Sequence, residues 1–143
     1  MENFYINHIA VLVCAVMSLV IGGLWWSPLL FARPWQREVG LSDEQVKQMN
    51  PAKTFGITFV LAYLAAYNLA FFLGDGSTTW KWGIAAGLLA AFWAISMYII
   101  ISVFEQRSLK LMLINSGYIA VYFALIGFIL GILMLWVTYN SLQ

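Results

Sequence analysis

Groups able to do acid, base or nucleophilic chemistry are sparse in this chain. Its 143 residues include one histidine, one cysteine and six acids, and these form neither the spaced ligand set of a metal cage nor a nucleophile, base and acid constellation. No catalytic residue, metal ligand or cofactor site is expected, and the chain reads as not an enzyme. His8, beside Asn7, falls near the end of the first apolar run and reads as an interfacial polar residue. Cys14, being alone, can form no internal disulfide and reads as a small packing residue. A lipid-modifying enzyme would need more acid and base groups near an interface than Glu105, Asp75 and His8 supply.

What remains is amide and hydroxyl chemistry inside apolar surroundings. Ser18, Tyr63, Tyr67, Asn68, Ser96, Tyr98, Asn115, Ser116 and Tyr118 all lie within long uncharged runs. A buried amide in hydrocarbon must be hydrogen-bonded, so Asn68 and Asn115 read first as glue between helices. The alternative is a polar intramembrane site of Asn68, Asn115, Ser116 and Tyr118, lining the path of a small or lipid-like molecule. Apart from His8 near the end of the first run, no acid or base lies within these runs, whereas an ion-coupled transporter retains such a group despite its cost.

The elements that must position these residues are set by composition. The chain is 63% hydrophobic and 9% charged, and its apolar residues fall into four runs, about 4–26, 54–73, 82–103 and 111–138. Each is long enough to cross roughly 30 Å of hydrocarbon at about 1.5 Å per residue. In lipid the backbone must pair with itself, so each run is a helix. The expected fold is all-α: a single domain, a four-transmembrane-helix up-down bundle, with a short amphipathic helical elbow at 27–53 between spans one and two. The segment Met1 to His8 contains Glu2 and no lysine or arginine, so the first run is expected to be retained rather than cleaved as a signal.

Local signals fill in the elbow. Gly22-Gly23 thin the first helix, Trp25 and Trp26 mark the headgroup level, and Pro28 ends the regular helix. Between 27 and 39, Leu29, Leu30, Phe31 and Trp35 alternate with Arg33, Arg37 and Glu38, as suits a segment lying in the interface. Ser42 and Gln45 have the spacing of a capping box, with Leu41 stapling to Val46 and the short helix running to about Met49. Asn50-Pro51 has the form of a cap and first position of the next helix, and a threonine at 78–79 is placed to cap the third span. Aromatics gather at the run ends, Trp25, Trp26 and Trp35 at one level and Phe4, Tyr5, Trp80, Trp82, Trp136 and Tyr139 at the other, as interfacial belts require.

Charge sets the orientation. Arg33, Arg37, Lys47, Lys53, Arg107 and Lys110 lie in the first and third connections, and Lys81 alone on the opposite side. The positive-inside rule therefore puts those connections in the cytoplasm and both termini outside, a periplasmic placement in a bacterial inner membrane. Arg33, Arg37, Glu105 and Arg107 form a candidate cytoplasmic rim, with Glu105 paired to Arg33 or Arg37, or with the basic groups on anionic lipid. The net charge of +1 leaves no broad basic surface, so no nucleic-acid partner is expected.

Small residues recur at four-residue spacing: Cys14, Ser18 and Gly22; Ala62, Ala66 and Ala70; Gly83, Gly87 and Ala91; Gly127 and Gly131. Such stripes permit close backbone approach, a main source of helix association in lipid. Gly22, Gly83, Gly87, Gly127 and Gly131 are the candidate helix contacts; the stripes read first as packing within the chain, with a contact between subunits, the Gly127/Gly131 pair being the choice for it, as the alternative.

Over nearly its whole length the chain resembles a bacterial membrane family known as domain of unknown function 1761. The resemblance rests on Gly22, Leu24, Trp25, Ser27, Pro28, Phe31 and Trp35, on Phe104 to Arg107, and on Leu113 to Tyr118. Trp26 stands where the family pattern has tyrosine, and Ile119 where many members place a histidine. The resemblance implies a four-span fold and carries no activity, substrate or catalytic residue.

The reading that follows is a non-catalytic membrane protein that contacts lipid and self-associates or joins a membrane assembly. The alternative is a passive carrier or channel-like oligomer for a small or lipid-like molecule. A reporter fused after Gln143 is expected on the outer side of the membrane; a cytosolic signal would overturn the orientation.

Overall fold

The computed structural model describes residues 6–74 and 78–141, with side chains through 133. Its regular elements are α1 (His8–Trp25), α2 (Ala32–Val39), α3 (Asp43–Lys47), α4 (Pro51–Phe72), α5 (Trp80–Phe104) and α6 (Leu109–Ser141). Among the described residues there is no strand. The helices α1, α4 and α5, and Leu109–Leu133 of α6, are long and apolar enough to cross a membrane. Phe4 and Tyr5 lie outside the described residues, as do Asp75 and the side chains of Trp136 and Tyr139.

Side-chain oxygens fix where most helices begin. The capping box is complete, with Ser42 accepting from Gln45 N and Gln45 Oε1 accepting from Ser42 N. Asn50 Oδ1 accepts from Lys53 N at 3.1 Å ahead of Pro51, and Thr79 Oγ1 from Trp82 N at 3.2 Å. Two caps had no reading from sequence. Asn7 Oδ1 accepts from Ala10 N at 3.1 Å, so α1 starts at His8 rather than at 4, and Ser108 Oγ accepts from Leu111 N at 3.2 Å.

Two reversals decide how the elbow meets the spans. Gly40, at φ +79°, lets Gly40 N donate to Arg37 O and Leu41 N to Gln36 O. Gln106, at φ 56°, does the same after α5, with Gln106 N on Val103 O and Arg107 N on Ser102 O. Both have the paired hydrogen bonds of a Schellman ending, which turns the chain sharply back over its own helix.

The spans pack as two hairpins. The contact of α5 with α6 is the most extensive, followed by α1 with α4, and the hairpins are joined chiefly along α1 and α6. The neighbours expected from short connections are found within each hairpin. Between α4 and α5 they are scarcely present: the two helices touch at few positions, and the Phe72 and Trp82 rings lie with centroids 6.4 Å apart. The row runs α4, α1, α6, α5. Its core holds Val11, Cys14, Leu69, Leu73, Ile126 and Leu130, and the stripe residues Ser18, Ala62, Ala66, Ala70 and Ala91 are all buried.

Glycine makes the α5/α6 contact possible. A Cβ on Gly83 would lie 2.1 Å from Gly127 O, one on Gly87 2.2 Å from Phe123 O, and one on Gly131 2.7 Å from Trp80 Cα. Of the two readings of Gly127 and Gly131, packing within the chain is the one found and the contact between subunits is corrected: both face α5 of their own chain, because that stripe meets Gly83 and Trp80 at backbone distance. Gly22 differs, since its nearest neighbours are the Trp26 ring and the Tyr118 hydroxyl rather than backbone.

Gly83→Ala or Gly127→Ala should push α5 from α6 and cost about 1–3 kcal/mol in a denaturant titration in mixed micelles. Gly56→Ala, whose added methyl meets nothing within 4 Å, should change stability by less than about 0.5 kcal/mol.

Candidate functional site

The gap between α4 and its neighbours is a cavity of about 720 Å³ at the elbow end of the spans. Ser18, Gly22, Gly23 and Trp26 line it from the α1 side, Pro51, Thr54, Phe55 and Thr58 from α4, and Asn115, Tyr118 and Ile119 from α6. Trp35, Val46 and Met49 line it from the elbow. No charged side chain lines it. Gly22 and Gly23 matter here for the volume they leave free: a Cβ on Gly23 would meet nothing within 4 Å.

Two adjacent tryptophans set its wall in different ways. Trp25 Nε1 donates to Ile114 O at 3.1 Å, and its ring packs on Phe31 with centroids 4.7 Å apart. Gly117 makes room for that indole, since a Cβ there would lie 3.0 Å from it. Trp26 packs on Tyr118, with centroids 4.4 Å apart, but its Nε1 is buried without a partner. Both rings are half-buried and take part in packing, beyond the anchoring expected of interfacial aromatics. Two of the three stretches that carry the family resemblance, 22–35 and 113–118, are thus packed on each other.

Asn115 is half used. Its Nδ2 donates to the Tyr98 hydroxyl at 2.6 Å, gluing α6 to α5, while Oδ1 is buried and unpartnered. Ser116 Oγ is likewise buried without a partner, although Ser116 does not line the cavity. The other polar groups of the wall are better satisfied: Ser18 Oγ donates to Ala15 O at 2.6 Å and Thr58 Oγ1 to Thr54 O at 2.8 Å.

Asn68 does not join this group. It lies about 26 Å along α4 from Pro51, whereas Asn115 lies about 9 Å along α6 from Leu109, and Asn68 is exposed on the outside of α4. The expected four-residue site is corrected to Asn115 and Tyr118, with Ser116 beside them, because both helices start at the elbow end and the two amides sit at different depths. His8 is also remote; its ring stacks on Tyr67 at 5.9 Å near the far end of the spans.

The rim is corrected too. Arg33 and Arg37, four residues apart, share an exposed face of α2, and Glu105 pairs locally with Arg107 at 3.0 Å instead of crossing to them. The cross-tie uses the acid of the elbow: Glu38 accepts from the Ser108 hydroxyl and lies 3.7 Å from Lys110 Nζ. Gln36 Nε2 holds α2 to α3 by donating to Leu41 O at 3.2 Å and Asp43 Oδ1 at 2.8 Å. Sequence reading missed Glu38, Ser108, Gln36 and the Trp26 indole. Only Ser108 gave a usable signal, a serine just ahead of an apolar run.

These features define an all-helical, four-span integral membrane protein with an elbow tied beneath an apolar cavity. The chain belongs to the family described as "Protein of unknown function (DUF1761)", whose model matches residues 9–131. No curated protein and no solved structure matches it.

Glu38→Ala should release the elbow and speed limited tryptic cleavage at Lys47 and Lys53 severalfold. Glu105→Ala, which breaks only a local exposed pair, should leave the rate unchanged. Equal rates for the two variants would refute the cross-tie.

Proposed function

We propose that this protein is a non-catalytic membrane protein that holds one small, lipid-like molecule in the elbow-end cavity and acts as a passive carrier for it. The observation that carries this reading is an apolar cavity of about 720 Å³ whose wall includes two side chains with buried polar atoms that lack a hydrogen-bond partner, Trp26 Nε1 and Asn115 Oδ1. That volume is in the range of sites for small organic ligands, which join an apolar lining to a few polar groups. Tyr118 is the one titratable side chain of that lining, and its hydroxyl points toward Gly22 rather than toward a base. Binding fits this wall better than catalysis.

The cationic residues support an orientation for the reading. Arg33, Arg37, Lys47, Lys53, Arg107 and Lys110 all belong to the elbow end, which makes that end cytoplasmic, in the inner membrane of a bacterium, with the termini periplasmic. The molecule then comes from the cytoplasmic leaflet.

A second reading, self-association, is favoured by one observation. Trp93, midway along α5, is 75% exposed beside Phe92 at 66%, so a polar-tipped ring faces outward at mid-membrane depth, away from the headgroup level where tryptophan is favoured. A second copy packed on α5 would cover it.

Native mass spectrometry of the protein released from its own membranes tests both. The carrier reading expects one bound mass of lipid size in the wild type, lost in Gly23→Phe, which fills the cavity from a position with open space around it. A bound mass that survives Gly23→Phe, or none in the wild type, overturns it. The mass of the protein itself gives the copy number; a monomer overturns self-association.

A further inference from the structure

The cavity wall restricts the polar end of what it can hold. It carries no charged side chain, so a carboxylate, phosphate or ammonium group would enter without a counter-charge, at a large desolvation cost. The polar end must therefore be neutral. Trp26 Nε1 only donates, so it calls for an acceptor, and Asn115 Oδ1 only accepts, so it calls for a donor. An ester or ketone satisfies the first and not the second. A hydroxyl satisfies both.

The apolar part of the wall cannot make this choice. A chain leaving the bilayer for the cavity exchanges one hydrocarbon surrounding for another and gains little from burial. Affinity over the surrounding lipid must come from fit and from the polar atoms that would otherwise stay unpaired, at about 1–3 kcal/mol each. As arranged, both atoms are shielded by their neighbours. Pairing with a ligand therefore requires the Asn115 amide and the Trp26 indole to turn about their terminal torsions, which lie in broad wells.

Resting on the carrier reading, we infer that the cavity selects a neutral, hydroxyl-bearing long-chain amphiphile, with the hydroxyl accepting from Trp26 Nε1 and donating to Asn115 Oδ1. A long-chain alcohol or a monoacylglycerol has this chemistry. A fatty acid anion, a phospholipid or a fatty acid methyl ester does not.

The test uses the full chain in lipid nanodiscs and three probes of matched chain, oleyl alcohol, methyl oleate and oleate, with retained lipid read by native mass spectrometry. The wild type should keep oleyl alcohol over methyl oleate by about tenfold, equivalent to about 1.4 kcal/mol, and should keep no oleate. Asn115→Leu, which removes the acceptor that only the alcohol can use, should bring that ratio close to one, whereas Trp26→Phe, which removes a donor that both probes use, should lower the retention of both and leave the ratio near tenfold. The ratio is taken within one preparation, so a general loss of fold lowers both lipids together and leaves it unchanged. Equal retention of alcohol and ester by the wild type, or preference for oleate, overturns the head-group assignment while leaving the carrier reading standing. Retention of none of the three, with no native lipid mass, overturns the carrier reading itself. An unchanged ratio in Asn115→Leu, or undiminished retention of both probes in Trp26→Phe, shows that these side chains do not read the head group, and the assignment falls.

Discussion

The seam between α1 and α6 is the interaction on which the rest depends. Each hairpin is held by its own helix pair, but α4 makes few contacts with α5 or α6, so little besides this seam keeps the hairpins together. Its elements run the length of the spans. Trp25 Nε1 donates to Ile114 O over the space left by Gly117, Trp26 lies on Tyr118, and Cys14 Sγ donates to Ile126 O at 3.8 Å. One further tie crosses it, from the Tyr122 hydroxyl to Ala62 O at 3.2 Å. Because lipid supplies no hydrophobic drive between helices, such seams rest on close packing and on hydrogen bonds that have no competitor in hydrocarbon.

Glycine serves this fold in two opposed ways. At Gly83, Gly87, Gly127 and Gly131 the missing side chain is replaced by the neighbouring backbone, which approaches to distances that any Cβ would forbid. At Gly22 and Gly23 it is replaced by cavity. The same residue type thus closes one helix pair and opens the space beside another, and the partner alone decides which. An alanine in the first group would separate two helices, whereas a large side chain at Gly23 would enter the cavity.

That distinction explains which features were legible in the sequence. The spans, the Ser42 and Gln45 box and the Asn50 and Thr79 caps depend on residues within a few positions of each other, and local chemistry is sufficient to read them. The four-residue stripes were legible as faces, since helical period fixes which residues share a side. Period does not say what that side meets, so Gly127 and Gly131 read equally well as an inner or an outer contact. Asn68 and Asn115 failed as a pair for a related reason: both are amides in apolar runs, and only depth along their own helices separates them. The rim failed because the partner of each charge depends on the reversals at Gly40 and Gln106. The second of these puts a glutamine where glycine is the usual choice, so nothing marked it.

Depth also bears on what the cavity can do. Trp26 follows directly on the last residue of α1, and Asn115 stands less than two turns into α6, so the unpaired atoms lie near the elbow end and well short of the membrane centre. A ligand hydroxyl held there stays close to the headgroup level from which it came, with its chain lying along α1 and α4. Such a molecule need not carry its polar end through the hydrocarbon interior, the step that makes lipid transfer across a bilayer slow. The geometry suits withdrawal from, and return to, one leaflet. On the proposed carrier reading, the elbow, tied by Glu38 to Ser108 and contributing Trp35, Val46 and Met49 to the cavity wall, is the element set between a held chain and water.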